Sequence, residues 1–155
     1  MTNFEPIARR LFAPLAKEYN LQFEPLDEEE FFLIGNGFAL WIFIDPRDMR
    51  SDVWYVAVDD NGNMLTYTLM YIQKNRFDPN NKKIFGNPST YDERIEANLR
   101  VDAAWLANKF QDILGGDKTW LKGYQGKGHY NRNIEKYLAP YFRAQGYPVI
   151  IKEDT

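Results

Sequence analysis

The segment Lys122-Gly123-Tyr124-Gln125-Gly126-Lys127-Gly128-His129-Tyr130-Asn131-Arg132 gathers residue types suited to holding an anion. Its glycines permit unusual backbone angles and close approach of a ligand. It feeds a helix start, where free backbone N–H groups favour negative charge. Lys122, Lys127 and Arg132 add cationic charge. His129, the only histidine, can take or give a proton near neutral pH. Lys122, Gly126, Lys127, Gly128, His129 and Arg132 thus form a candidate set for a phosphate or carboxylate. The pattern lacks the third glycine of a dinucleotide fingerprint, follows no predicted strand and contains no G-x-x-x-x-G-K-[ST] phosphate loop. A solvated connector with an incidental histidine is the competing reading.

Carboxylates cluster elsewhere. Glu24, Asp27, Glu28, Glu29 and Glu30 are followed by Asp45, Asp48 and Asp52. Carboxylates bind hard cations, but the calcium-loop spacing D-x-[DN]-x-[DN]-G-x₅-E is absent, and one histidine cannot build a histidine-rich metal site. The acidic run reads as a solvated charged face or as a docking patch for a partner. Nucleophilic catalysis would need Ser51 or Ser89, the only serines, beside His129, and neither serine lies in G-x-S-x-G. No cofactor or metal is implied.

The third group is aromatic. Phe32, Trp41, Phe43, Tyr55, Tyr71 and Trp120 exceed what one small core face requires. Either the chain's own helices cover them on both sides of a sheet, or some form the Trp/Tyr-rich patch common at interfaces. Phe32, Trp41 and Phe43, with Asp27, Glu28, Glu29 and Glu30, are the candidate partner-binding residues. Base stacking on these rings would require a basic groove, and residues 21–60 are acidic.

The elements that must position these groups follow from spacing and punctuation. Thr2-Asn3-Phe4-Glu5 has the form of a capping box, Pro6 suits a first turn, and Ile7, Ala8, Leu11, Leu15 and Tyr19 keep helical spacing. Pro14 predicts a kink or an early end. Leu21 to Pro25 reads as a short edge strand. Phe31–Ile44 reads as a hairpin turning at Asn36-Gly37, with Phe32 opposite Trp41 and Leu33 opposite Leu40.

Val53–Ile72 reads as a second hairpin. A two-residue Asn61-Gly62 turn pairs Val58 with Leu65, Val56 with Tyr67, Trp54 with Leu69 and Val53 with Met70. Trp54, Val56, Val58, Leu65, Tyr67 and Leu69 then form the core face.

Residues 74–90 read as a long surface loop. Thr90-Tyr91-Asp92-Glu93 begins a helix whose stripe Ile95, Leu99, Ala103, Leu106, Phe110 and Ile113 ends at Gly115-Gly116. A second loop precedes a last helix over Arg132–Gln145, which Pro140 should bend or shorten, and Tyr147–Ile151 reads as a terminal strand. The order predicts an α+β fold: an N-terminal helix, an antiparallel meander of four to five strands and two C-terminal helices packed on the sheet.

Composition bounds the rest. The 155 residues predict one domain spanning 1–155, able to bury roughly 68–70% of its unfolded surface. The absence of cysteine excludes disulfides and thiolate chemistry. Glu5, Arg9, Arg10, Lys17 and Glu18 exclude a signal peptide in the first residues, and no stretch reaches a membrane span, so a cytoplasmic protein is expected. The net charge of −3 argues against a general nucleic-acid binder. It is uneven: residues 1–60 carry 12 acidic and 5 basic side chains, and residues 61–155 carry 10 and 14. The asymmetry reads either as chance and solvated loops or as a dipolar surface that steers a charged partner.

A small, acidic, cysteine-free α+β chain rich in aromatics and without a catalytic motif resembles the immunity proteins of bacterial toxin systems. The resemblance is one of size and composition over the whole chain, and it carries over no residues. It implies a protein partner, a cognate toxin, neutralised by covering its active site or binding surface. An acidic face would suit a basic nuclease, because it mimics the phosphates of the substrate. The alternative expectation is an anion- or small-molecule-binding protein or enzyme, with a pocket between sheet and helices served by the 122–132 loop and His129.

Overall fold

A computed structural model of the chain describes residues 2–69, 76–124 and 126–151. Helix α1 spans Glu5–Glu18. Asn3 Oδ1, not Thr2, accepts the Glu5 N–H at 2.9 Å. The Thr2 hydroxyl donates instead to Asp92 Oδ2 at 2.7 Å, so the expected capping box is replaced by a tertiary contact. Pro14 lies inside the helix without ending it. Arg10 and Pro14 are both exposed, so water can meet the carbonyl that Pro14 leaves without a donor, while Ala8, Phe12 and Leu15 hold the opposite face in the core.

Five antiparallel strands follow in sequence order: β1 Gln22–Pro25, β2 Glu30–Ile34, β3 Phe38–Asp45, β4 Arg50–Val58 and β5 Met64–Thr68. The first hairpin has the expected register, with Phe32 opposite Trp41 and Leu33 opposite Leu40. Gly37 alone supplies a positive φ (77°) at its turn. The Gln145 amide clamps that turn, accepting the Gly37 N–H and donating to Gly35 O, both at 2.8 Å.

The second hairpin departs from expectation by one residue. Val58 lies opposite Met64, Val56 opposite Thr66 and Trp54 opposite Thr68. The loop has three residues, Asp60-Asn61-Gly62, and Gly62 takes φ 87°. Asp59 organises it: its Oδ1 accepts the N–H groups of Asn61 and Asn63, each at 2.9 Å. The Asp59 and Gly62 backbone bonds complete a turn followed by a left-handed glycine, a common three-residue hairpin. Because side chains alternate, the slip moves Leu65, Tyr67 and Leu69 to the face opposite Trp54, Val56 and Val58. The residues proposed as one core face therefore belong to two. The predicted pairing of Met70, and Tyr71, Ile72, Lys74 and Gln125, lie outside the described residues.

The remaining helices are α2 Asn80–Phe85, α3 Tyr91–Lys109, α4 Gln111–Leu114, a 3₁₀ turn Thr119–Gly123 and α5 Arg132–Ala144. Within 76–90, α2 replaces the unbroken loop read from the sequence. Thr90 caps α3 by accepting the Glu93 N–H at 3.2 Å, as its box predicts. The stripe read as one helix breaks at Phe110, between α3 and α4. Exposed Pro140 leaves α5 unbroken. Tyr147 to Ile150 add no strand; Ile150 N–H bonds Gly62 O at 2.9 Å instead.

Helices cover both faces of the sheet. On one, Phe31, Leu33, Leu40, Ile42 and Tyr55 pack with Phe12, Leu15, Ile95, Leu99 and Phe110. On the other, Phe32, Ile34, Ala39, Val56, Val58 and Met64 pack with Ile134, Leu138, Ala139 and Phe142 of α5. Strands apolar on both sides are thus explained largely by the chain's own helices.

Candidate functional site

Phe32 has no exposed surface and stacks on Tyr137 of α5, ring centroids 5.0 Å apart. As a partner-binding residue it is withdrawn, because its ring is core. Trp41 and Phe43 differ: both are half-buried, their rings 4.7 Å apart. Half-buried Trp54 extends the strip, with its ring 6.1 Å from Trp41. These rings share a face with the α5 cluster. Trp41 lies at that cluster's edge, while Phe43 and Trp54 lie outside it.

Two carboxylates frame the strip. Phe43 pairs across its neighbours with Glu30 and Asp52. Glu30 Oε1 accepts the Trp41 indole N–H at 3.2 Å. Burial, then the neighbouring Asp27, raises the Glu30 carboxyl above the ordinary range. Burial likewise raises Asp52, against a hydrogen bond from the Val53 N–H and the charge of Arg50.

Asp27, Glu28 and Glu29 line a cleft of about 710 Å³ with Asp92, Thr2, Phe4, Pro46 and Tyr91. The cleft therefore carries four carboxylates, no lysine or arginine, and two aromatic walls. Phe4 and Tyr91 rings lie 6.4 Å apart. Phe4 N–H bonds Glu28 O at 3.2 Å, and Asp27 Oδ1 accepts the Glu29 N–H at 2.8 Å, so the acidic turn is fixed against the start of α1. Asp92 sits in the first turn of α3, where the helix dipole favours a negative charge. Desolvation, then Glu29, Asp92 and Asp45, pushes the Tyr91 phenol upward, which marks this end of the molecule as negative. Phe4, Tyr91 and Asp92 were invisible as site residues in the sequence; their only signal is that each stands at a helix start.

The glycine-rich segment is an edge cover. His129 forms an isolated antiparallel bridge with Thr66, both backbone hydrogen bonds being 2.8 Å. Gly128 is close to β5: a Cβ there would stand 2.8 Å from the Tyr67 ring and 3.0 Å from Leu65 Cβ. The α5 N-terminus is capped by Asn131, whose Oδ1 accepts the Ile134 N–H at 3.3 Å. Lys122 is the penultimate residue of the 3₁₀ turn, Lys127 is exposed, and Arg132 opens α5. None of Lys122, Gly126, Lys127, Gly128, His129 and Arg132 lines any of the main clefts.

The serines do not meet the histidine. Ser51 contacts Asp102 of α3, and Ser89 donates to Glu93 Oε2 at 3.2 Å. His129 lies beside Trp54 on the other face, ring centroids 6.4 Å apart. A Ser–His pair is thereby separated by the sheet. Among the described residues no three or more His, Asp or Glu side chains converge to hold a metal, and no helix is long and apolar enough to cross a membrane. Comparison with protein families, with curated proteins and with solved structures finds no match.

Proposed function

We propose that this chain is a protein-binding domain that presents its acidic end to a basic surface of a partner. The observation that carries the reading is the joining of two features by Glu30. Its backbone pairs with Phe43, its carboxylate holds Trp41, and the acidic turn that lines the cleft leads into it. Half-buried tryptophan and phenylalanine suit an interface centre, and surrounding carboxylates suit its rim. The cleft, acidic with aromatic walls, has the shape and chemistry for a lysine or arginine side chain.

In its finer form the proposal is an immunity-type inhibitor: a bacterial cytoplasmic protein that covers a toxin whose own surface is basic. Acidic charge accelerates encounter with such a partner and repels nucleic acid and anionic membranes. The test is co-purification with the proteins encoded beside this one, followed by calorimetry. A basic partner bound at micromolar affinity or better, and weakened tenfold or more by Glu28→Lys with Glu29→Lys, supports the reading. A partner whose affinity is indifferent to those changes and to Trp41→Ala overturns it.

A further inference from the structure

We infer that the end of the sheet left uncovered by α5 reads arginine: it seats a guanidinium of the partner protein on the Phe43 ring, between the carboxylates of Glu30 and Asp52. The inference rests on the reading of this strip as the interface centre, and it names what that centre recognises. The platform is built by register. Phe43 lies opposite Glu30 of β2 on one side and Asp52 of β4 on the other. Two residues along β3, Trp41 lies opposite Trp54. Residues directly opposite one another project from the same face, so one phenylalanine ring is flanked by two carboxylates, with two indoles beside it. Neighbouring strands are about 4.8 Å apart, which places β2 and β4 about 10 Å apart across Phe43, one carboxylate on each side of a group resting on the ring. Each carboxylate is held through one oxygen: Glu30 Oε1 takes the Trp41 indole N–H at 3.2 Å, and Asp52 Oδ1 takes the Val53 N–H at 2.9 Å.

The chain itself does not answer this charge. Among the described residues no ion pair joins Glu30 or Asp52 to a lysine or arginine. Arg50 stands two residues from Asp52 and favours its charge, but its ion pair is with Asp48, at 3.9 Å. Asp27 adds negative charge beside Glu30. Both carboxylates are partly withdrawn from water, so each gains from a cation brought against it. A guanidinium fits this setting better than an ammonium. It is planar, weakly hydrated and stacks on aromatic faces, and its fork of N–H donors can serve carboxylates beside the ring. The lysine ammonium is a compact, strongly hydrated point charge. A neutral apolar side chain would cover the rings and leave two carboxylates without a counter-charge.

The test is an NMR titration of the full chain with two capped glycine peptides that differ only in a central arginine or lysine. The indole N–H signals of Trp41 and Trp54 report on the platform, and those of Trp105 and Trp120, which pack on the other face, are internal references. The arginine peptide is expected to shift the Trp41 and Trp54 signals saturably and to bind about fivefold or more tighter than the lysine peptide. Glu30→Gln with Asp52→Asn should bring the two affinities together; should that variant fail to fold, Phe43→Leu gives the same reading. Glu28→Lys with Glu29→Lys, which acts on the cleft, should weaken both peptides alike and keep the preference. Equal binding of the two peptides, no shift at Trp41 and Trp54, or a preference that survives both Glu30→Gln with Asp52→Asn and Phe43→Leu overturns the arginine platform. Those results would leave the protein-binding reading standing, because its own test is the response of a natural partner to Trp41→Ala and to the cleft changes.

Discussion

Glu30 Oε1 takes the indole N–H of Trp41 at 3.2 Å across the β2–β3 pair. Trp41 lies opposite Phe32 and Glu30 opposite Phe43, so the contact is the diagonal of a cross-strand square. It sets where the core stops: Phe32 goes under α5, and Trp41 and Phe43 stay half open to solvent beside carboxylates.

That boundary separates the core from the proposed recognition strip. Phe32→Ala should cost about 3–5 kcal/mol in denaturant unfolding, the usual range for a fully buried phenylalanine. Trp41→Ala should cost less than Phe32→Ala and leave a folded protein, yet abolish or greatly weaken partner binding. Equal losses of stability at the two positions would show that both rings are core.

Glu30→Gln should be tolerated. Burial and Asp27 disfavour its charge, so any contribution from Glu30 is present in acid and is lost as pH rises through its raised folded pKa. After allowance for solvent screening, neutralisation should raise stability at pH 7 by only about a few tenths of a kcal/mol. The gain should vanish at pH 3, where the native residue is already protonated. Thermal unfolding at the two pH values checks the sign.

The second hairpin depends on its loop. Gly62 combines φ 87° with a Cβ position that runs into the Pro148 carbonyl. Gly62→Ala should therefore cost about 2 kcal/mol or more, by strain and overpacking together. Asp59→Ala, which frees the Asn61 and Asn63 N–H groups to water, should cost about 1 kcal/mol. Chemical denaturation of both variants gives the comparison.

The glycine-rich segment should behave as packing. Gly128→Ala forces contact with Tyr67 and Leu65 and should destabilise by about 1–2 kcal/mol. His129→Ala, which keeps the backbone bridge to Thr66, should change stability by less than about 0.5 kcal/mol. Inorganic phosphate should leave the amide resonances of 126 and 128–131 in place. Saturable shifts there would restore the anion-site reading.

Local signals carried part of this fold. Asn36-Gly37 set the first hairpin's register because the turn is closed by its own backbone. Thr90 marked the start of α3 because its capping bond spans three residues. The second hairpin contained the same Asn-Gly pair, yet the side chain of Asp59 recruited an extra residue into the loop. A dipeptide rule does not see that competition, and a slip of one residue reversed half the expected face. The candidate cleft was legible only in its acidic turn; Phe4, Tyr91 and Asp92 reach it from other elements.

By itself the sequence determined the α+β order, the first register, the acidic run at 27–30 and the surplus of aromatic rings. Each depends on residues near in the chain, where spacing and turn chemistry decide. Tertiary structure alone decided that α5 covers Phe32 but leaves Phe43 half open, that Asp92 joins Asp27 to Glu29 around one cleft, and that Ser51 meets Asp102. Those pairings join residues far apart in sequence, and packing shape and burial select them in ways no local pattern encodes.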